Sequence, residues 1–157
     1  MGFFIEKIAK LDYWLITKVK KWALPFARFA IFVVYFWSGL LKIFLVSPLN
    51  PLVSQFLIKT APEIPLNNFI VVLGFFELII ALTIINHHLR HLALLFLTLH
   101  LLAVVTPLFI LPDVTWQGFL IPTLEGRFII DNILIIALAI VILGNLHPFL
   151  YKEKDTS

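Results

Sequence analysis

The amino-acid sequence predicts an all-α fold, an integral membrane four-helix bundle with an N-terminal amphipathic interfacial helix. Three observations predict it. Of the 157 residues, 61% are hydrophobic and the mean hydropathy is +1.03, whereas soluble domains are roughly 45–50% apolar. The apolar residues gather into four runs near the roughly 20 helical residues that cross a hydrocarbon core of about 30 Å. The basic residues concentrate in the first 28 positions, as expected of a cytoplasmic flank rather than of a nucleic-acid-binding surface.

Residues 3–22 repeat Phe4, Ile8, Leu11, Leu15, Val19 and Trp22 at steps of three or four, with Lys7, Lys10, Lys18 and Lys21 on other faces. A basic amphipathic helix of this kind belongs in the headgroup plane at an anionic inner leaflet, or docks a partner with the same face. It is no cleavable signal peptide, since a charged helix precedes the first apolar run and no small-residue cleavage pattern follows.

The spans are predicted over residues 25–46, 66–85, 89–111 and 128–146. Residues 1–23 are then an amphipathic helix at the cytoplasmic face, 24–147 a four-transmembrane-helix domain and 148–157 a polar cytoplasmic tail that frays. Arg28 and the preceding lysines, Arg90, and Lys152 with Lys154 outnumber the single basic residue in each of the other two connections. That asymmetry places both termini and the turn around residues 86–91 in the cytoplasm of a cell with an inner membrane. The two outer connections are apolar for loops. Leu49, Leu52, Val53, Phe56 and Leu57 return to helical spacing behind Pro48 and Pro51, which predicts a short helix on the outer leaflet. Residues 112–122, with Trp116 between two prolines, fold back over the bundle or dip into it, so that the two connections roof its outer mouth.

Polar residues inside the spans carry the functional signal. At about 1.5 Å per residue, Lys42, Glu77, His100 and Asp131 with Asn132 all fall at or above the midplane, and Arg127 stands at the outer start of the last span. A Lys at the centre of a membrane helix costs about 2.5 to 3.5 kcal/mol, so Lys42 snorkels, pairs with an acid or lines a polar cavity. Glu77 cannot snorkel readily from mid-membrane and is either protonated or paired, with Lys42 the natural cation. Gly39 and Gly74 each precede these residues by about a turn on a small-residue stripe, where a neighbouring backbone or a ligand approaches closely. His100 is either a hydrogen-bonding strut or a ligand. Arg127 and Asp131, four apart, either pair along one helix or divide, Arg127 holding an anionic group and Asp131 meeting Lys42. Lys42, Glu77, His100, Arg127, Asp131 and the interfacial Trp116 are therefore the candidate ligand-binding residues. No catalytic set is predicted. His87, His88 and His91 lack an acidic or cysteine third partner and read as a solvated turn rather than a metal site.

The phrase Phe36-Trp37-Ser38-Gly39-Leu40-Leu41-Lys42, followed by Ser47-Pro48 and Pro51-Leu52-Val53, resembles the first-span signature of DoxX-like membrane proteins. Leu73-Gly74-Phe75-Phe76-Glu77 is similar to that family's Gly-x-x-Glu pattern, and residues 122–132 resemble the entry to its last span. The likeness covers about residues 25–146. It implies a four-helix bundle of the bacterial cytoplasmic membrane, in a family that includes small subunits of a thiosulfate:quinone oxidoreductase and proteins linked to oxidant stress. Many members carry a lysine where this chain has Asp131, which reverses a charge beside Lys42 and Glu77.

The absence of cysteine excludes disulfides, thiol relays, iron–sulfur ligation and c-type haem attachment. Without a nucleophile–base–orienter set, phosphate-cradling glycine loop or cofactor fingerprint, a self-contained enzyme is the least supported class. The leading expectation is an accessory subunit that binds a quinone or lipid-like molecule in an outer-half polar pocket, within a redox complex. Its partners are the bilayer and either another protein or further copies of itself. The alternatives are a proton-linked transporter or permeation subunit using Glu77, His100 and Asp131 as a relay, and a structural scaffold recruiting a partner through its N-terminal helix.

Overall fold

The computed structural model describes residues 2–145 and is all-α apart from one small hairpin. The expected polar tail, with Lys152 and Lys154, lies outside the described residues. The first helix, α1 (Gly2–Ile43), is followed by a short helix α2 (Asn50–Thr60) and by α3 (Leu66–Ile85). A one-turn 3₁₀ segment over His87–Leu89 leads into α4 (Arg90–Val105) and α5 (Pro107–Ile110). After α6 (Pro112–Thr115), strands β1 (Trp116–Gly118) and β2 (Ile121–Pro122) form an antiparallel hairpin, and α7 (Leu124–Ile130) with α8 (Asn132–Gly144) completes the chain. Among the described residues, four helical stretches are long and apolar enough to cross a membrane: Lys10–Ile43, Leu66–Ile85, Arg90–Ile110 and Leu124–Gly144. The chain is thus a four-helix, multi-pass membrane bundle. One end carries α2 and the hairpin and is termed the capped end; the other carries the tight turn after α3.

The start of the chain departs from the sequence expectation. Where the residue pattern separates a helix over 3–22 from a span beginning at Pro25, the backbone runs as one 42-residue helix with Pro25 inside it. At about 1.5 Å per residue it is about 63 Å long, twice the hydrocarbon thickness. Residues 10–23 are exposed throughout, and packing begins at Leu24 and Ala27. Proline removes one backbone donor and clashes one turn back, but Lys21, whose carbonyl is freed, lies in that exposed stretch.

Two apolar clusters hold the bundle. One joins Ala27, Ile31 and Tyr35 of α1 to Ile80, Ala81 and Ile84 of α3, Ala93, Leu94, Leu97 and Leu101 of α4, and Ile142 of α8. The second, at the capped end, joins Leu52 of α2 to Leu111 and Ile129. Helices α1 and α3 form the most extensively packed pair. They approach closely at Gly39 and Gly74, where a Cβ on either glycine would sit 2.8 Å from the other's carbonyl oxygen. At the turn end, Arg28 donates from Nε to the Ile84 carbonyl at 2.8 Å and from Nη2 to that of Ile85. A cation therefore satisfies the orphan carbonyls that close α3, where the helix dipole also favours positive charge.

Both later spans are interrupted. Pro107 ends the ladder of α4, and Thr106 Oγ1 donates to the Ala103 carbonyl at 2.6 Å. In the last span the break at Asp131 has no proline. There the Asn132 side chain donates to the Phe128 carbonyl at 2.9 Å, competing with the backbone for that acceptor. The cap is tied down by Lys59, which donates to the Ile110 carbonyl at 2.6 Å, and by Thr123, whose hydroxyl donates to Val114 at 2.7 Å and accepts from Gly126 at 3.0 Å.

Candidate functional site

The end of α1 explains the placement of Lys42. Leu45 lies in the left-handed region at φ 59°, its N–H donates to the Lys42 carbonyl at 3.0 Å, and the Val46 N–H donates to that of Leu41 at 2.9 Å. This is a Schellman closure with leucine where glycine is the usual residue. Lys42 thus stands in the last turn, within reach of the membrane surface, yet its side chain runs the other way. Side chains on a helix tilt toward its N-terminus, and the Lys42 Cβ passes beside Gly74, where a further carbon would lie only 3.0 Å from it. The ammonium reaches back along α1 to Ser38 Oγ at 2.8 Å and across to Glu77 Oε1 and Oε2 at 2.8 and 2.9 Å. All three N–H groups are used. Lys42 is 3% exposed, so it does not snorkel.

Glu77, also 3% exposed, has His100 on its far side. The His100 Nε2 atom lies 3.2 Å from Glu77 Oε1 but off the hydrogen-bonding line, which leaves a buried nitrogen without an aligned partner. The other ring nitrogen, Nδ1, is 3.1 Å from the hydroxyl of Tyr35, and the two rings meet edge to face. With a carboxylate facing Nε2, that nitrogen carries the ring proton and Nδ1 accepts from Tyr35, a tautomer assigned from the neighbours. The result is a buried chain through three spans: Ser38, Lys42, Glu77, His100, Tyr35.

The chain borders a cavity of about 720 Å³. Its walls come from Ala30 to Lys42 of α1, from α2, α3, α4 and Pro107, and from Phe128 to Leu138 of the last span. They are overwhelmingly apolar, with the few polar groups of the buried chain, Thr106, Asp131 and Asn132 among them. The cavity is half open rather than sealed, and Val34 and Leu134 on its border are exposed. Both helix interruptions, at Thr106 and at Asp131, flank it, which is where irregular backbone is tolerated at depth.

The six sequence candidates therefore divide. Lys42, Glu77 and His100 are brought together, and the pairing of Lys42 with Glu77 is present. Asp131 borders the cavity but does not meet Lys42; its Oδ2 lies 3.9 Å from Arg127 Nε along the same stretch, both side chains being exposed. The local pair prevails because residues four apart are neighbours on one helix face. Arg127 and Trp116 are not on the cavity wall, and Trp116 instead donates from Nε1 to the Leu108 carbonyl at 3.1 Å within the cap. Tyr35 and Ser38 complete the chain and were not among the candidates. Their signal was their spacing, since residues 35, 38 and 42 share one face of an otherwise apolar span.

Among the described residues no group of three His, Cys, Asp or Glu side chains is arranged to hold a metal ion. No protein-family model matches the chain, and no curated protein or solved structure matches it. The class defined by fold and composition is a four-helix multi-pass membrane protein.

Proposed function

We propose that this protein is an accessory subunit of a bacterial cytoplasmic membrane, DoxX-like in kind, that holds a quinone- or lipid-like molecule beneath its capped end within a redox assembly. One observation carries the proposal: a half-open, apolar-walled cavity of about 720 Å³ with a buried ionic and hydrogen-bonded chain on one wall. Small-molecule sites are concave, mostly apolar and about 300 to 1,000 Å³, with a small number of placed polar groups that orient the ligand. An intramembrane cluster of this cost is more readily accounted for by a site than by packing alone, because apolar residues lock helices more cheaply. Both termini face the cytoplasm in this reading, with residues 1–23 available to the inner leaflet and the cap facing outward, in keeping with the basic residues flanking the turn end.

Gently extracted protein analysed by native mass spectrometry is expected to retain a quinone or a specific lipid. Ala103→Trp, which adds bulk on the cavity wall at a residue outside the ion pair, should abolish retention, and Lys42→Ala or Glu77→Ala should reduce it. Equal retention in all of these variants would refute the site. Orientation is open to single-cysteine labelling, because the natural chain has no cysteine. Glu63→Cys should react with an impermeant reagent in intact cells and Asn86→Cys should not; the reverse pattern would overturn the topology.

A further inference from the structure

Resting on the binding reading above, we infer that the occupant's polar end is an uncharged, weakly acidic hydroxyl, of the phenol or hydroquinone class, and that Tyr35 and His100 take up its proton. The ionic part of the site is closed on itself. All three protons of Lys42 are engaged by Glu77 and Ser38, and both oxygens of Glu77 are taken by Lys42. No unpaired charge is left on this wall to hold an anionic or cationic headgroup in an apolar cavity. Asp131, the remaining charged group on the border, is exposed and has Arg127 at 3.9 Å. A ligand therefore enters uncharged, because burying an unpaired charge is far more costly than burying a satisfied hydroxyl, and any negative charge it develops there must be matched by a proton taken up on the wall.

What the wall does offer is a polarised proton acceptor. Tyr35 is 3% exposed and borders the cavity, and its hydroxyl is 3.1 Å from His100 Nδ1. Donation to the imidazole leaves the phenol oxygen with acceptor capacity toward the cavity. On its far side the imidazole has Glu77 Oε1 3.2 Å from Nε2, positioned to stabilise an imidazolium. These parts follow the logic of a base oriented and stabilised by a carboxylate, with tyrosine as the intermediate hydroxyl. In the transfer, the ligand O–H bond breaks as its proton passes to the Tyr35 oxygen, and the Tyr35 O–H bond breaks as its own proton passes to Nδ1. One O–H and one N–H bond form, no electron moves, and the products are a ligand oxyanion, neutral tyrosine and an imidazolium beside the Glu77 carboxylate.

The test uses a long-chain alkyl nitrophenol, whose phenol and phenolate forms absorb at different wavelengths, and its methyl ether, which has no proton to give. Purified full-length protein in lipid nanodiscs is mixed with each at a pH below the free probe's own ionisation. The expected result is that wild type retains both compounds and holds the nitrophenol with the phenolate absorption. Tyr35→Phe and His100→Gln should retain the methyl ether as wild type does, which shows an intact cavity, but should hold the nitrophenol as the neutral phenol. If wild type binds the probe as the neutral phenol, or if Tyr35→Phe keeps the phenolate band, the proton-transfer inference is overturned while the cavity reading stands. If wild type retains neither compound, both are overturned.

Discussion

The pairing of Lys42 with Glu77 lends itself to a double-mutant cycle that separates locking from binding. The substitutions are Lys42→Met, Glu77→Leu and the two together. Removing one partner of a buried ion pair costs about 3 to 5 kcal/mol, because the survivor is left as an uncompensated charge. Glu77→Leu belongs at the upper end of that range, since the ammonium would keep only the hydroxyl of Ser38 at 2.8 Å. Lys42→Met belongs at the lower end, because His100 Nε2 already lies 3.2 Å from Glu77 Oε1 and can carry the compensating proton. The double variant has no charge to strand and a similar volume, so it should return to within about 1 to 2 kcal/mol of wild type. In a chain of this size about 3 kcal/mol corresponds to about 6 to 12 °C in Tm, readable by tryptophan fluorescence in detergent. The double variant should fold yet retain less of any quinone or lipid that wild type holds, which a purely structural pair would not require. Single variants within about 0.5 kcal/mol of wild type, or a double variant no better than the worse single, would refute the reasoning about the pair.

Four further outcomes follow from the backbone. Gly74→Ala should destabilise by about 1 to 2 kcal/mol, since its Cβ would meet the Gly39 carbonyl oxygen at 2.8 Å and the Lys42 Cβ at 3.0 Å. Gly144→Ala, which meets nothing within 4 Å, should instead gain about 0.5 to 1 kcal/mol by helix propensity, and the same thermal melts read both. Gly126→Ala drives a methyl to within 2.0 Å of the Thr115 carbonyl oxygen, so the cap should come loose, read as protease cleavage over residues 111–123 that wild type resists. Leu45→Gly should stabilise by about 1 kcal/mol in the same melts by relieving the left-handed leucine at φ 59°.

The bundle was largely legible because its determinants are additive and local. Runs of apolar residues specify spans whatever they pack against, and the apolar run over residues 66–85 coincides with the helix Leu66–Ile85. The Pro48 and Pro51 signals with the spacing of Leu52, Phe56 and Leu57 likewise announced a helix, which runs over Asn50–Thr60. The hairpin was not legible. Its turn places Leu120 at φ 57° with no Asn-Gly or Asp-Gly to mark it, and it is held by tertiary contacts such as Thr123 N–H to the Thr115 carbonyl at 3.0 Å. The continuity of α1 was missed for a related reason. A proline and a change from charged to apolar composition resemble a boundary, yet the helix continues through Pro25, and the carbonyl that the proline frees, at Lys21, lies in an exposed stretch.

The candidate site was legible in its charges and hidden in its neutral members. Lys42, Glu77 and His100 stand out because each is expensive in a span, so sequence cost alone singles them out. Tyr35 and Ser38 cost little there and become meaningful only through distances of 3.1 Å to His100 and 2.8 Å to Lys42. Direction matters as much as membership. A lysine in the final turn of α1 had an inexpensive route to the surface, and the chain instead has Gly74 beside its stem and a serine four residues back to receive its third proton. Those two small residues give the lysine a path inward rather than outward, and at its end lie a carboxylate, an imidazole and a phenol bordering a cavity that packing has left open. A lysine required only to bridge α1 and α3 would be satisfied by Glu77 alone. The same contact network continues to His100 and Tyr35 on the cavity wall.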